Sequence, residues 1–375
     1  MHAFRAAALA SCLTTAGGCS SNRTVTVAAV PTPSGAPASA GGSAAATTTS
    51  TRGWRVESRE HVDLWLHGFA LLQEDSSLVP SFRPGYGASM RGVRPSGAGQ
   101  LDANRLRLQR RFGENPNLVS AQFLCLYFAT WDDLRRGVER FRQAGGDVRA
   151  ANDQEELRMF ATIRTYFPTA DDRDWLQVFV SSMEDERARF YRAYWFQQEQ
   201  LGASMRRQVE SLWNSTYRGA FTRFLGNTNQ REGTIVLSLP LGGEGRTLSV
   251  GPRNNFVSVG FPLPTEDPRE AIAAIAHEIV GRVATATVRD NTTEAERRAG
   301  EDVRWSTLAA VRGGRLLLER VAPDLVDVYQ RYYLRLARVT PSGRDVSDTF
   351  FATFPLPPTI ATALQRQIDL VLSGI

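Results

Sequence analysis

The sequence of 375 residues predicts an α+β fold that is mainly α, with a small antiparallel β-meander. Three observations support this fold class. Apolar residues recur at the helical period of about 3.6 over most of the chain beyond residue 53. The pattern changes across 234–260 to an alternation of apolar and polar residues, which is typical of strands. A helical pattern follows at once and extends to the end of the chain.

Two short segments precede the expected domain. Residues 1–19 have the organisation of an export signal, with Arg5 in a positive n-region and a weakly apolar stretch after it. The segment 20–52 consists mainly of Ser, Thr, Ala, Gly and Pro and carries almost no charge. Because such a composition cannot bury enough apolar surface to fold, it predicts a disordered tether. We expect residues 53–375 to form one mostly helical domain.

The first part of the domain has the pattern of successive amphipathic helices. The opening helix carries Trp65 and Phe69 on its apolar face. Pro116 and Pro168 mark breaks between later helices, because proline lacks the N–H group that a helix interior requires. The helices are expected at 61–72, 100–112, 117–128, 131–144, 153–166, 171–200 and 203–225.

Three short strands are expected next, at 234–239, 246–250 and 256–260. The glycine-rich segment 242–245 predicts a hairpin turn between the first two strands. The strands lead directly into a helix at 268–289, which is apolar on nearly all sides. Such a helix is buried, so we expect it to form the centre of the fold.

The remainder of the chain is also predicted to be helical. Thr292 or Thr293 is a suitable N-cap after the central helix. Gly313 and Gly314 permit a break, and Pro323 predicts an interruption. The last helix opens with a proline pair, which suits a first helical turn. These helices are expected at 293–311, at 315–336 and from 358 onwards.

The charge pattern argues against a nucleic-acid partner. All 44 basic residues are arginine, and the formal net charge is +5. The arginines are scattered along the chain, whereas nucleic-acid binding requires a basic patch or stripe. Genomic codon bias explains the absence of lysine, and attraction to anionic lipid or polymer is the alternative. We find no nucleotide-binding fingerprint and expect no nucleotide cofactor.

The end of the export signal contains the run Ala16-Gly17-Gly18-Cys19. This run resembles a bacterial lipobox, although Ala16 stands where leucine is usual. The resemblance implies that Cys19 is lipidated and anchors the protein in the cell envelope, on the periplasmic face of a membrane. The outer membrane is one of the membranes that this leaves open. Ordinary signal-peptidase cleavage is the alternative, and it also exports the chain.

The central helix carries an ionisable pair, His277 and Glu278, which is costly to bury unless something compensates it. The run His277-Glu278-Ile279-Val280-Gly281 resembles the H-E-x-x-H motif of zincin metallopeptidases. In that motif both imidazoles bind zinc and the glutamate is the general base. The resemblance covers about 234–320 and implies His277 as a zinc ligand and Glu278 as the base.

One ligand of the zincin set is missing, because Gly281 occupies the position of the second histidine. The gluzincin branch takes its third ligand from a glutamate on a following helix, roughly twenty residues further on. Glu301 stands 20 residues after Gly281 and is the implied third ligand, with Glu294 and Glu296 as weaker candidates. Zinc is the only cofactor that the resemblance implies, and a decayed site would hold none.

Other residues were considered for the missing roles. His61 and His67 are the other histidines beyond the export signal, and His67 could reach towards the site. A core histidine that bonds a backbone carbonyl is the structural alternative. No histidine follows His277, so Tyr329, Tyr332 or Tyr333 would have to replace the later histidine of thermolysin-like enzymes.

Three hypotheses about function follow. The first is a non-catalytic binding or scaffold protein with a decayed zincin-like site, which binds a peptide or another envelope component in a groove beside the central helix. The second is a metal-dependent peptidase or hydrolase with Glu278 as base. The third is a structural domain in which His277 bonds a carbonyl and Glu278 pairs with Arg282 one turn on. Oligomeric state is open in all three.

Overall fold

The computed structural model describes the fold of most of the chain beyond the tether. The fold is mainly helical (71%) and contains one small sheet, so the predicted α+β class is confirmed. The predicted export signal, the predicted tether and Cys19 lie outside the described residues. Those residues are 53–73, 77–95, 99–249, 252–341 and 345–374.

The sheet has four strands and is mixed. The spatial order is β1-β2-β4-β3. The first three strands in this order run parallel, and β3 runs antiparallel to β4. The strands are β1 (Trp54–Glu57), β2 (Gly233–Ser238), β3 (Arg246–Ser249) and β4 (Asn255–Gly260).

The predicted antiparallel meander is therefore wrong in its pairing, although its three strands exist. Because β4 lies between β2 and β3, the segment 242–245 is not a hairpin turn. It belongs to a crossover that carries the chain from β2 past β4 to the edge of the sheet. Strand β1 was missed because four residues are too few for a pattern, and its pairing partner, β2, is distant in the sequence.

Among the described residues, eight α-helices and two 3₁₀ segments precede β2. Pro116–Tyr127, predicted as a regular helix, is the longer 3₁₀ segment, and Val148–Ala150 is the shorter one. The helices are α1 (Glu60–Leu72), α2 (Tyr86–Val93), α3 (Gln100–Glu114), α4 (Trp131–Gln143), α5 (Gln154–Tyr166), α6 (Ala170–Glu186), α7 (Arg192–Ser211) and α8 (Arg218–Asn227).

The last three of these helices form one continuous rod, whereas a break was predicted near residue 202. Two π-helical turns, Arg187–Tyr191 and Leu212–Tyr217, join α6 to α7 and α7 to α8. Gly202 permits close packing instead of a break, because a Cβ atom there would lie 2.7 Å from the ring of Phe261. The glycine at position 202 is therefore required by a tertiary contact.

Six α-helices follow β4. Thr293 caps the second of them in a capping box with Glu296, as predicted. The expected interruption at Pro323 is also confirmed, by a short 3₁₀ turn there. The helices are α9 (Arg269–Asp290), α10 (Glu294–Arg298), α11 (Glu301–Val321), α12 (Val326–Leu336), α13 (Val346–Thr353) and α14 (Pro358–Ser373).

The predicted break at Gly313 and Gly314 does not occur, because α11 continues through both glycines. A Cβ atom at Gly313 would lie 3.3 Å from Val280 of α9. A Cβ atom at Gly314 would lie 2.8 Å from the ring carbon Cζ of Tyr329 in α12. The two glycines therefore let α11 pack closely against two neighbouring helices.

The sheet lies between two hydrophobic cores. Ile235 and Leu237 of β2 contribute to the core around α9, together with the C-terminal helices. Val236, on the opposite face of β2, contributes to the core of the N-terminal helices around Trp65 and Phe179. Successive residues of a strand point to opposite faces, so β2 is buried on both sides.

Helix α9 lies at the centre of the core that it forms with the C-terminal helices, as the sequence predicts. It has the length and apolar character of a membrane span, with 22 residues and a mean hydropathy of 1.3. Within the domain, however, 78% of that apolar window is buried. Burial explains the apolar composition of α9, because a core helix, like a membrane-spanning helix, is surrounded by apolar groups on all sides.

Candidate metal centre

The candidate site lies halfway along α9, where His277 and Glu278 point into the domain. The His277 side chain is fully buried and that of Glu278 is 2% exposed. The neighbouring apolar residues of α9 enclose both side chains in the core. The predicted burial of this ionisable pair is therefore observed.

A third residue, the acidic Glu244, completes the site and was not predicted from the sequence. Glu244, in the crossover between β2 and β3, places Oε1 3.7 Å from Nε2 of His277. Oε1 of Glu278 lies 3.6 Å from the same nitrogen. One ligand atom from each of the three residues lies within 4.8 Å of the other two. Such a group has the composition and spacing of a metal site.

The crossover that carries Glu244 also fixes the carboxylate of Glu278. The backbone N–H of Gly245 donates to Oε1 of Glu278 at 2.7 Å, and the Thr247 hydroxyl donates to Oε2 at 2.7 Å. Gly245 has no room for a side chain, because a Cβ atom would lie 2.5 Å from Cδ of Glu278. The glycine is required by this close approach.

Two tyrosines of α12 hold the crossover from the other side. The hydroxyl of Tyr332 donates to the Gly242 carbonyl at 3.1 Å, and that of Tyr333 donates to the Gly243 carbonyl at 3.2 Å. The ring of Tyr333 lies 5.1 Å from the His277 ring. These hydroxyls are engaged with backbone carbonyls, so their predicted role as proton donors gains no support.

The third tyrosine proposed for that role is engaged elsewhere. Tyr329 donates its hydroxyl to the carbonyl of Val311 in α11, at 2.7 Å. It is fully buried against Tyr333, with 4.6 Å between the ring centroids. Its position indicates a packing role between α11 and α12.

Burial and charge oppose each other at His277. Burial lowers the pKa of the imidazole, but the carboxylates of Glu244 and Glu278 raise it by more, and the net shift is upwards. Burial also raises the pKa of Glu278, against the lowering effect of His277. Two carboxyl groups and one imidazole in a dry site therefore favour a bound positive charge, whether a proton or a metal ion.

The structure does not bring Glu301 to His277, so the predicted zinc ligand has to be corrected. Glu301 is the first residue of α11; its side chain is 36% exposed and lies 3.5 Å from Arg304. The residue of α11 whose carbonyl faces the His277 ring is Ala310. Nine helical residues separate the two, a rise of about 13 Å. The sequence spacing matched the zincin pattern, but the helix pairs with α9 in a different register.

The weaker candidates are also engaged elsewhere. Glu294 lies 3.6 Å from Arg298, and Glu296 completes the capping box of α10. Gly281 is buried on α9 and has no side chain to offer a metal. The described hydrogen bonds of Glu278 come from the crossover, so the pairing expected with Arg282 is not what holds this carboxylate.

The remaining histidines belong to the N-terminal core. Nε2 of His61 lies 3.0 Å from the Phe128 carbonyl, as expected for a structural histidine. His67 bonds the hydroxyl of Tyr86 at 3.0 Å and the carboxylate of Glu186 at 3.2 Å. Neither histidine belongs to the metal-site-like group found among the described residues.

One cavity in the described part of the chain lies away from α9. It has a volume of about 860 Å³ and opens between α4, α5 and one end of the sheet. Its lining combines aromatic residues with charged ones of both signs. They include Tyr127, Phe128, Phe256, Arg59, Arg136, Arg158, Asp133 and Glu155. This cavity lies beside α4, α5 and the sheet, whereas the groove predicted from the sequence lies beside the central helix.

The sequence around Glu244 contains one weak indication of its role. It is the only acidic residue in an apolar and glycine-rich run, LSLPLGGEGRTLSV, and all of 240–248 is buried. A charged residue between glycines in a buried segment indicates a specific partner. From the sequence alone, the segment 242–245 was predicted to be a hairpin turn, and no partner of Glu244 was expected.

No known protein family, curated protein or solved structure matches this chain. The resemblance to zincins therefore stays a prediction that depends on the residues of α9 and their surroundings.

Proposed function

We propose that the protein is an exported, lipid-anchored envelope protein whose helical domain is a non-catalytic binding or scaffold unit of zincin-like ancestry. The observation that carries the non-catalytic role is the enclosure of Glu278. A general base must come within hydrogen-bonding reach of the reacting group or its water. Both carboxylate oxygens of Glu278 already accept hydrogen bonds, one from Gly245 of the crossover and one from Thr247 of β3, and the side chain is buried.

The order of elements supports the proposed ancestry. Short strands lead into a buried helix that carries His-Glu, and a capped turn and a second long helix follow. In a working zincin the helix borders an open cleft, whereas here the crossover and α12 cover the same residues. Loss of the second histidine and closure of the cleft are consistent with each other, because a site that no longer hydrolyses a substrate has no need of an open cleft.

The proposed binding surface is the groove between α4, α5 and the sheet. Its aromatic side chains offer apolar contact, and its arginines and carboxylates offer both signs of charge. At one end of the groove Arg59 lies 5.0 Å above the ring of Phe256, so a positive charge and an aromatic surface are found together there. This lining suits a peptide or another envelope component of mixed charge.

Catalysis is tested by incubating the purified full chain and its Glu278→Gln variant with a peptide mixture and ZnCl₂, followed by mass spectrometry. We expect the same peptides after incubation with either protein. Cleavage by the wild type that disappears in Glu278→Gln would refute the non-catalytic role. It would establish the alternative function, a metal-dependent peptidase in which Glu278 acts as base.

The groove is tested with a photo-crosslinking residue at Phe256, and with a control at Leu106, which is 81% exposed and lies on α3 outside the groove. We expect one discrete adduct in the envelope fraction from position 256 and none from position 106. Equal labelling from both positions would exclude the groove as a binding site.

The anchor is tested by mass spectrometry of the native N-terminus. We expect a mature chain that begins with a lipid-modified Cys19, and release from the membrane fraction in Cys19→Ser. An unmodified N-terminus at another residue would refute lipidation.

A further inference from the structure

We infer that Glu244, His277 and Glu278 bind one divalent transition-metal ion, which fastens the crossover to α9. This ligand set is not that of the zincins. Glu278 is a ligand here instead of a base, Glu244 comes from the strand crossover, and neither Gly281 nor Glu301 takes part. One imidazole and two carboxylates form a set that Zn²⁺ accepts.

The geometry already suits a shared ion. Zinc bonds to nitrogen and oxygen ligands are about 2.1 Å long, so two ligand atoms in a tetrahedral site lie about 3.4 Å apart. The His277 nitrogen lies 3.7 Å from the Glu244 oxygen and 3.6 Å from the Glu278 oxygen. Contractions of a few tenths of an ångström would bring these atoms into coordination distance.

A second observation points to the same ligand. Oε1 of Glu244 is buried and accepts no hydrogen bond from a described residue, since Nε2 of His277, which it faces, is 3.7 Å away. A buried carboxylate oxygen without a hydrogen bond is costly, because its hydration is lost and nothing replaces it. A bond to a cation replaces that hydration. The two positive charges of a divalent ion also balance the negative charges of the two carboxylates.

The residues around the three ligands are those expected of a second coordination layer. Gly245 and Thr247 fix the orientation of the Glu278 carboxylate. The carbonyl of Ala310 faces the His277 ring. Metal-bound histidines commonly bond a carbonyl in this way, and metal-bound carboxylates are commonly hydrogen-bonded as well.

The inferred role of the ion is structural. Because all three ligands are buried, the ion would enter as the chain folds and would add its binding free energy to folding. It would hold together the crossover, which lacks regular structure, and the helix at the centre of the core. This inference does not depend on the proposed function, since a buried ion and a non-catalytic groove are tested by different measurements.

The first test is the metal content of the full chain purified without chelator or added metal. Glu244→Gln removes one ligand charge with little change in shape, and Glu301→Gln is the matched control outside the site. We expect about one equivalent of a divalent transition metal in wild type and Glu301→Gln, and at least a tenfold loss in Glu244→Gln. Equal metal content in all three proteins would overturn the inference.

The second test covers the case in which purification strips the ion. The wild type and Glu244→Gln are unfolded in chelator and refolded with or without ZnCl₂, and thermal unfolding is measured. We expect zinc to raise the Tm of the wild type by about 5 °C or more and to leave Glu244→Gln unchanged. A wild-type Tm that does not respond to ZnCl₂, in a protein that also lacks metal as isolated, would overturn the inference.

Discussion

Oε1 of Glu244 lies 3.7 Å from Nε2 of His277, and this contact joins the strand crossover to the central helix. Neither residue is exposed, so the contact exists only because the crossover folds down onto α9. The segment that looks like a surface turn in the sequence is thus part of the core. Its glycines, its glutamate and the tyrosines above it form one packed unit.

Gly245→Ala should destabilise the protein strongly. The added methyl group would meet the Ser258 carbonyl oxygen and the Glu278 carboxyl group, and neither can move without losing hydrogen bonds. Overpacking of this kind costs about 3 kcal/mol of unfolding free energy. Urea denaturation followed by circular dichroism measures the loss.

The matched control is Gly219→Ala, because Gly219 lies on the exposed side of α8 with open space around its Cα atom. Alanine should stabilise a helix there by about 0.5–1 kcal/mol. If Gly245→Ala unfolded at the same urea concentration as Gly219→Ala, the close packing of the crossover on Glu278 would be contradicted.

Tyr333→Phe should weaken the clamp on the crossover. The variant keeps the ring beside His277 and removes the hydroxyl that bonds the Gly243 carbonyl. Loss of one partner of a buried hydrogen bond costs about 1–2 kcal/mol. Tyr194→Phe is the control, since the Tyr194 hydroxyl makes no hydrogen bond to a described residue. Thermal unfolding that ranks the two variants equally would argue against the clamp.

The helical parts of the fold were largely predictable, because their signals are local. The apolar girdle of α9, the cap at Thr293 and the interruption at Pro323 follow from spacing and residue type alone. The glycines were misinterpreted for the converse reason. Gly202 and Gly314 lie inside helices, where contacts with distant residues select them, and such contacts leave no periodic trace.

The site was half predictable. The burial of His277 and Glu278 could be predicted from the composition of one helix. The position of Glu244 could not be predicted in this way, because it depends on the order of the strands. An antiparallel meander would turn the segment 242–245 away from the core, whereas the observed order, β1-β2-β4-β3, sends it across the sheet towards α9. The spacing of Glu301 matched a family pattern, but the packing of α11 placed Ala310 beside His277.

Two buried groups on α1 should give opposing pH dependences. Burial raises the pKa of Asp63 from 3.8 to about 7, even though Trp195 and Ser238 donate to its carboxylate. The stability that this group contributes is full below pH 3.8 and is lost as the pH rises to about 7. Burial, and then the charge of Arg59, lowers the pKa of His61 from 6.5 to about 4. Its contribution is full above pH 6.5 and is lost as the pH falls to about 4.

Between pH 4 and 6.5 the two slopes largely cancel in the wild type. Asp63→Asn leaves the histidine slope, so its unfolding free energy should fall relative to wild type as the pH falls. His61→Gln leaves the aspartate slope and should change in the opposite direction. Each difference approaches about 1.4 kcal/mol per pH unit within this window. Chemical denaturation at several pH values measures both, and parallel profiles for the three proteins would contradict the assignment.

The most direct test of the buried centre is a crystal structure of the full chain with anomalous diffraction data collected across the zinc absorption edge. The account predicts one anomalous peak, bonded to Glu244, His277 and Glu278 beneath the crossover. A peak bonded to His277 and Glu301 would restore the zincin arrangement and contradict the account. A refined structure with no peak at His277, from protein refolded in ZnCl₂, would contradict it as well.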